Sequence, residues 1–167
     1  FQINIYLEKI VASLPKQYTL SMIDSHFYKL CKSEAWSKDL VSQFSTYEKY
    51  RRLGIGVEYP KDGLIISGAS SYSRYQNGIE IEIDTRKEYR RNGFACICAA
   101  KLILECLKRN LYPSWDAHNK ASAALAEKLG IITVTLIRRW KYGIIKIIVD
   151  SVSNPAGDVE KRAMDNI

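Results

Sequence analysis

Histidine is nearly missing from this chain, and that scarcity removes one functional class at once. Only His26 and His118 occur among 167 residues, which leaves too few ligands for a convincing metal site. The four cysteines (Cys31, Cys96, Cys98, Cys106) show no zinc spacing, and three of them fall within one predicted helix. They read as buried free thiols in a reducing compartment, and the cytoplasm is the expected location. No apolar run approaches a membrane span: the nearest to one, Gly143 to Val149, is short, is interrupted by Lys146 and reads as a buried strand. The start of the chain has no basic n-region, carries Gln2 and Asn4, and breaks any apolar stretch with Glu8 and Lys9. A secretory leader is therefore not expected there. Methionine is also absent from position 1, and a longer parent protein is the expectation.

What is present suffices for one well-cored domain and is too short for two typical ones: 47% of the residues are hydrophobic. The net charge of +7 points to a polyanionic partner. Nucleic acid and phosphorylated cofactors both fit it, and charge alone does not choose.

Spacing of apolar residues predicts a lead-in helix over 3–13, which stops before Pro15. We read residues 1–15 as the end of a preceding region, 16–150 as the domain and 151–167 as a loosely attached tail. Tyr18 to Ile23 alternates like a strand, and Asp24 then offers an N-cap for a helix with Phe27, Leu30 and Cys31 on one side. A second helical region, Lys38 to Leu53, should break near Ser45 and Thr46. The middle of the chain reads as an antiparallel meander. Its strands are Gly54 to Tyr59, Leu64 to Tyr75 and Ile79 to Thr85, joined by turns at Lys61-Asp62-Gly63 and Gln76-Asn77-Gly78. The third of these alternates isoleucines with Glu80, Glu82 and Asp84.

The next helix carries a full apolar stripe: Ala95, Cys98, Ala99, Leu102, Ile103, Cys106 and Leu107. Asn110 is its stop. A short strand, Leu111 to Asp116, precedes a helix capped by Asn119 and ending at Gly130. This order makes the strands on either side of the long helix parallel neighbours. Ile131 to Ile137 and Gly143 to Val149 are further β-rich runs around the basic segment Arg138 to Lys141.

The strand-to-helix turn after Thr85 is the most informative segment. The first N–H groups of a helix lack internal partners and the helix dipole is positive there, so phosphates bind such a place readily. Arg86, Lys87, Arg90 and Arg91 surround this one. A P-loop is excluded because no Gly-x-x-x-x-Gly-Lys-Ser/Thr string exists, and the dinucleotide fingerprint fails because only Gly93 is present. What remains is Arg90-x-x-Gly93-x-Ala95, whose small residues let a pyrophosphate approach the backbone.

That pattern, at the start of a helix after a meander strand, resembles the coenzyme A site of the GNAT acyltransferase superfamily. Asn119-x-x-Ser122-x-x-Leu125, ending at Leu129-Gly130, is similar to the superfamily's following helix. Ser67 to Tyr72, Ile79 to Thr85 and Tyr112 to Asp116 are similar to a bacterial branch that includes the zwittermicin A resistance acetyltransferase. The match runs from about Leu14 to Gly130.

The resemblance implies an α/β (α+β) GNAT-type fold, a mixed and mostly antiparallel sheet with helices on both faces. It implies acetyl-CoA as acyl donor, no metal, and an amine of a small molecule or protein as acceptor. Ile83 and Thr85 would bond the pantetheine arm through the backbone, while Arg90, Arg91, Asn92, Gly93, Phe94 and Ala95 would cradle the pyrophosphate. Asn119 and Ser122 would line the other side, and the strands carrying Ile83 and Trp115 would splay around the thioester. Glu82 is the candidate base and Glu80 the second choice; the alternative for both is a hydrogen-bonded polar strand face. Many members carry tyrosine where this chain has Ala126, which leaves Tyr112, Ser114 or solvent to protonate the thiolate, or the activity lost. Ile131 to Ile167 does not match the family's closing strands clearly. Trp36 and Trp115 read as core, and His118 as a surface or capping residue. No membrane partner is expected, and a homodimer stays open. Two rivals remain: a catalytically weak domain that senses or holds acyl-CoA, and a nucleic-acid-binding domain. The second lacks a recognition helix or an aromatic-studded sheet motif.

Overall fold

Among the described residues six strands form one sheet in the order β1-β2-β3-β4-β5-β6, with helices packed on both faces. The computed structural model describes residues 2–15, 18–117, 119–131 and 145–147. The strands are β1 (Ser21–Met22), β2 (Gly56–Lys61), β3 (Leu64–Tyr75), β4 (Gly78–Thr85), β5 (Tyr112–Ala117) and β6 (Ile145–Ile147). The α-helices are α1 (Gln2–Ala12), α2 (Ser25–Ser33), α3 (Tyr47–Leu53), α4 (Phe94–Lys108) and α5 (Lys120–Lys128). Among the described residues β4–β5 is the single parallel pairing, as a strand–helix–strand order requires.

The meander forms because its turns supply the needed backbone. Asp62 and Gly63 both take positive φ (51° and 77°) and join β2 to β3, the geometry a two-residue hairpin asks for. Ile65 and Ile66, neighbours on β3, belong to different core clusters, so the sheet buries both faces. On one face Leu7 of α1, the α4 stripe, Ala126 of α5 and Leu129 pack with Val57, Tyr59, Ile79 and Ile81. On the other, Tyr28, Cys31, Leu40, Val41, Phe44 and Tyr50 pack against Ile65.

Several expectations are sharpened by packing. The strand expected over Tyr18 to Ile23 shrinks to Ser21–Met22, because only these two pair with Val57 and Glu58 of β2; Tyr18 instead stacks on Tyr59 at 5.5 Å. In α2 the fully buried residues are Tyr28 and Cys31, while Phe27 and Leu30 are half-buried. The cap is as expected: Asp24 accepts the Phe27 N–H at 2.9 Å. The region Lys38 to Leu53 divides into a 3₁₀ turn (Lys38–Leu40) and α3, whose cap Thr46 accepts the Lys49 N–H at 3.2 Å. The α4 helix buries more than one stripe: Cys96, Ile97, Ala100 and Leu104 are also buried, since α1 lies along it. The four cysteines are free and buried. Of the later β-rich runs, Ile145–Ile147 is a strand; the basic segment Arg138 to Lys141, His118 and residues 151–167 lie outside the described residues. Among the described residues no helix is long and apolar enough to cross a membrane.

Candidate coenzyme A and acyl-transfer site

A fork in the sheet places the site. The β4–β5 ladder pairs Gly78, Ile79 and Glu80 with Tyr112, Pro113 and Ser114, and it ends there. Beyond that rung β4 continues through Thr85 alongside β3, and Trp115 to Ala117 continue alongside β6. Tyr112 N–H donates to the Asn77 carbonyl at 2.7 Å, so odd-numbered positions of β4 turn their backbone groups towards β5. The period of two turns those of Ile83 and Thr85 into the gap.

At the end of β4 the chain makes a 3₁₀ turn (Lys87–Tyr89) and enters α4 through two left-handed residues, Arg91 (φ 66°) and Gly93 (φ 83°). Asn92 Nδ2 braces this loop by donating to the carbonyls of Tyr89 (3.1 Å) and Arg90 (3.3 Å). The first helical bond runs from Ile97 N–H to the Gly93 carbonyl at 3.2 Å, and no side chain caps the helix. The N–H groups of Phe94, Ala95 and Cys96 therefore stand ahead of that bond, as an anion site needs. A Cβ added at Gly93 would meet nothing within 4 Å, so the space over the turn is open. Phe94 turns its ring inward onto Tyr59 at 4.5 Å, leaving its backbone as the part available to a ligand.

The four basic side chains separate. Lys87, Arg90 and Arg91 are exposed around the turn, and Arg90 Nε donates back to the Thr85 carbonyl at 3.0 Å. That bond occupies one of the two Thr85 backbone groups expected to meet the pantetheine. The Thr85 hydroxyl is likewise engaged, at 2.8 Å from Ser67 Oγ. Arg86 leaves the group: its guanidinium pairs with Glu34 and lies over the Trp36 ring. The reason is its even register. Its backbone N–H bonds the Ile66 carbonyl at 2.9 Å, while its side chain leaves towards the α2 side of the sheet.

The carboxylates of β4 differ among themselves. Glu80 accepts from Ser114 Oγ at 3.0 Å across the last rung, which fits the polar strand-face reading. Burial first, and then the charges of Asp84 and Asp39, push the Glu82 carboxyl up to about 7, with an Ile83 N–H hydrogen bond acting the other way. Asp84 is raised to about 6 by burial, partly offset by Arg90. Glu82 is thus poised to exchange a proton near neutrality, as a general base should be. Asp39, from the 3₁₀ turn after α2, was not legible as a member of this group. It sits in a segment that reads only as helical, and the packing of that turn on β3 and β4 brings it close.

On the far side of the fork Asn119 caps α5, accepting the Ser122 N–H at 2.9 Å. Ser122 Oγ accepts the Trp115 indole N–H at 3.0 Å. Since Trp115 is the first residue past the last shared rung, this bond ties α5 to the β5 arm of the fork. Ala126, one turn further, is fully buried and supplies no proton donor.

A mixed sheet forked between two parallel strands, with an uncapped glycine turn after one of them, is the architecture of an acyl-CoA N-acyltransferase fold. The chain belongs to the GNAT acetyltransferase family, whose model matches residues 2–136. It is 35% identical over 136 residues to the uncharacterised N-acetyltransferase YdfB of Bacillus subtilis, covering 76% of this chain and 49% of that protein. A crystal structure of a GCN5-related N-acetyltransferase-like protein from Streptococcus suis is 49% identical, with a TM-score of 0.74, over 75% of this chain and 51% of that one. The chain thus spans about half the length of these relatives. A Salmonella typhimurium structure with its cofactor acetyl-CoA shares the fold at 13% identity and a TM-score of 0.55, covering 84% of this chain and 98% of its own.

Proposed function

We propose that this domain is an N-acetyltransferase that moves the acetyl group of acetyl-CoA to a primary amine of a small molecule or protein, by direct attack in a ternary complex. The observation that carries the reading is the fork: the shared rungs stop at Glu80 and Ser114, and the α4 N-terminus stands uncapped at the end of the β4 arm. Backbone groups of Ile83 and the Thr85 N–H would bond the pantetheine. The N–H groups of Phe94, Ala95 and Cys96 would take the pyrophosphate, with Arg90 and Arg91 adding charge and Asn92 holding the loop. Asn119 and Ser122 would line the opposite wall.

The acceptor amine arrives mostly as ammonium, so a proton must leave before nitrogen can attack. Glu82, with its carboxyl near 7, takes that proton, directly or through one water. The nitrogen then bonds the thioester carbonyl carbon and gives its second proton to solvent, the C–S bond breaks, and the sulfur leaves as thiolate. With Ala126 at the helix position, Tyr112, Ser114 or solvent supplies its proton. A small aminated metabolite or antibiotic is compatible with the resemblance to the bacterial branch that includes the zwittermicin A resistance acetyltransferase, and so is a protein amine.

Incubating acetyl-CoA with a panel of amines and reading thiol release tests the reading. At least one amine should release thiol, and Glu82→Gln should slow that release by about 100-fold or more while leaving acetyl-CoA binding nearly intact. Turnover unchanged in Glu82→Gln removes Glu82 as the base. Ala126 favours a second reading, a domain that holds acyl-CoA without turning it over. Binding with no thiol release for any amine would support that one.

A further inference from the structure

The segment from Glu34 to Val41 closes over the polar face of β4, and Arg86 fastens it there. Arg86 Nη2 pairs with Glu34 Oε2, its Nε donates to the Ile65 carbonyl at 3.4 Å, and its guanidinium lies 5.4 Å from the Trp36 ring centre. Trp36 donates its indole N–H to the same Glu34 oxygen at 2.7 Å. Further along, Leu40 sits directly on Gly68 of β3, where a Cβ would meet Leu40 Cδ1 at 2.8 Å. Between these two anchors stands Asp39, close enough to act electrostatically on both Glu82 and Asp84.

We propose that Arg86 is a positioning residue of the acceptor side: by clamping Glu34 and Trp36 to the end of β4 it fixes where Asp39 stands against Glu82. It does not bind the phosphates of acetyl-CoA. The term "acceptor side" rests on the proposed function; the clamp itself does not. An ion pair this exposed, with side chains 25% and 32% accessible, contributes little by Coulomb energy alone. The specificity lies in the planar fork, which meets a carboxylate, a carbonyl and an aromatic face at once. A lysine ammonium cannot reproduce that set. Without the clamp, Asp39 moves off and water reaches Glu82, and both changes lower the pH at which Glu82 titrates.

Carboxyl NMR of the full chain, with Glu82→Gln identifying the resonance, reads that pH; calorimetry with acetyl-CoA reads the cradle. In Arg86→Met the Glu82 midpoint should fall by about half a unit or more, while acetyl-CoA affinity stays within about threefold of the parent. Arg86→Lys should recover only part of the midpoint. Asp39→Asn, which leaves the clamp intact, should lower it as well. Glu34→Gln, which weakens the clamp without removing its shape, serves if Arg86→Met does not fold. A Glu82 midpoint unmoved in the clamp variants overturns the proposal, and so does a loss of acetyl-CoA affinity of about tenfold or more in Arg86→Met. If the parent itself binds no acetyl-CoA, the proposed function fails while the NMR titration still judges the clamp.

Discussion

At the scale of single residues, two glutamates of the sheet, Glu82 on β4 and Glu58 on β2 with β3 between them, differ in environment. Glu82 stands half-buried at the fork, with a carboxyl near 7. A base works only when deprotonated, so acetyl transfer should rise with pH and reach half its plateau at about 7; a rate flat from about pH 5.5 to 8 would exclude it. Glu58 is completely buried, neither of its oxygens has a hydrogen-bond partner among the described residues, and burial, then Asp24, pushes its carboxyl up to about 9. The folded state therefore keeps a proton that the unfolded chain loses above about 4.5, its ordinary value. Stability from this group falls as pH rises between those two values. Glu58→Met should be more stable than the parent at about pH 8, by on the order of 2 kcal/mol. In urea unfolding that advantage should widen from about pH 5 to 9, and a pH-independent difference would contradict the account.

At the scale of elements, the turn into α4 is proposed to bind through backbone, so its substitutions should separate shape from ligand. Gly93 and Gly63 offer a matched pair: φ is 83° and 77°, and neither has an atom within 4 Å of a notional Cβ. Alanine at either position meets the same left-handed strain, about 1 kcal/mol in denaturant unfolding. Only at Gly93 does the new methyl enter the proposed pyrophosphate site. Gly93→Ala should weaken acetyl-CoA about tenfold while Gly63→Ala leaves it unchanged. Equal affinities in the two variants would remove the turn from the site. On the same backbone logic Asn92 and Phe94 would serve the proposed site without touching ligand through their side chains: one braces the loop, the other anchors it on Tyr59.

At the scale of the whole molecule, local chemistry was legible and long-range placement was not. Asp24, Thr46, Asn119 and the Asp62-Gly63 turn announce themselves because caps and turns satisfy nearby backbone groups. The fork could be expected only through the family resemblance, and the ladder ending at Glu80 and Ser114 now marks where it opens. Three features were hidden. Arg86 reads as one more basic residue of the turn until strand register sends it to Glu34. Asp39 carries no mark in the sequence until the 3₁₀ turn packs on β4. Glu58 is one residue of the expected strand Gly54 to Tyr59, unmarked until α2 and Leu40 cover its face. Each depends on contacts between distant parts of the chain, which periodicity does not encode. The central claim is that the fork and the α4 turn hold acetyl-CoA, and hydrogen exchange with and without acetyl-CoA tests it most directly. Protection should appear over 81–85 and 90–96, at the Ile83 and Thr85 amides and at those of Phe94, Ala95 and Cys96. Exchange unchanged there at saturating acetyl-CoA would contradict it.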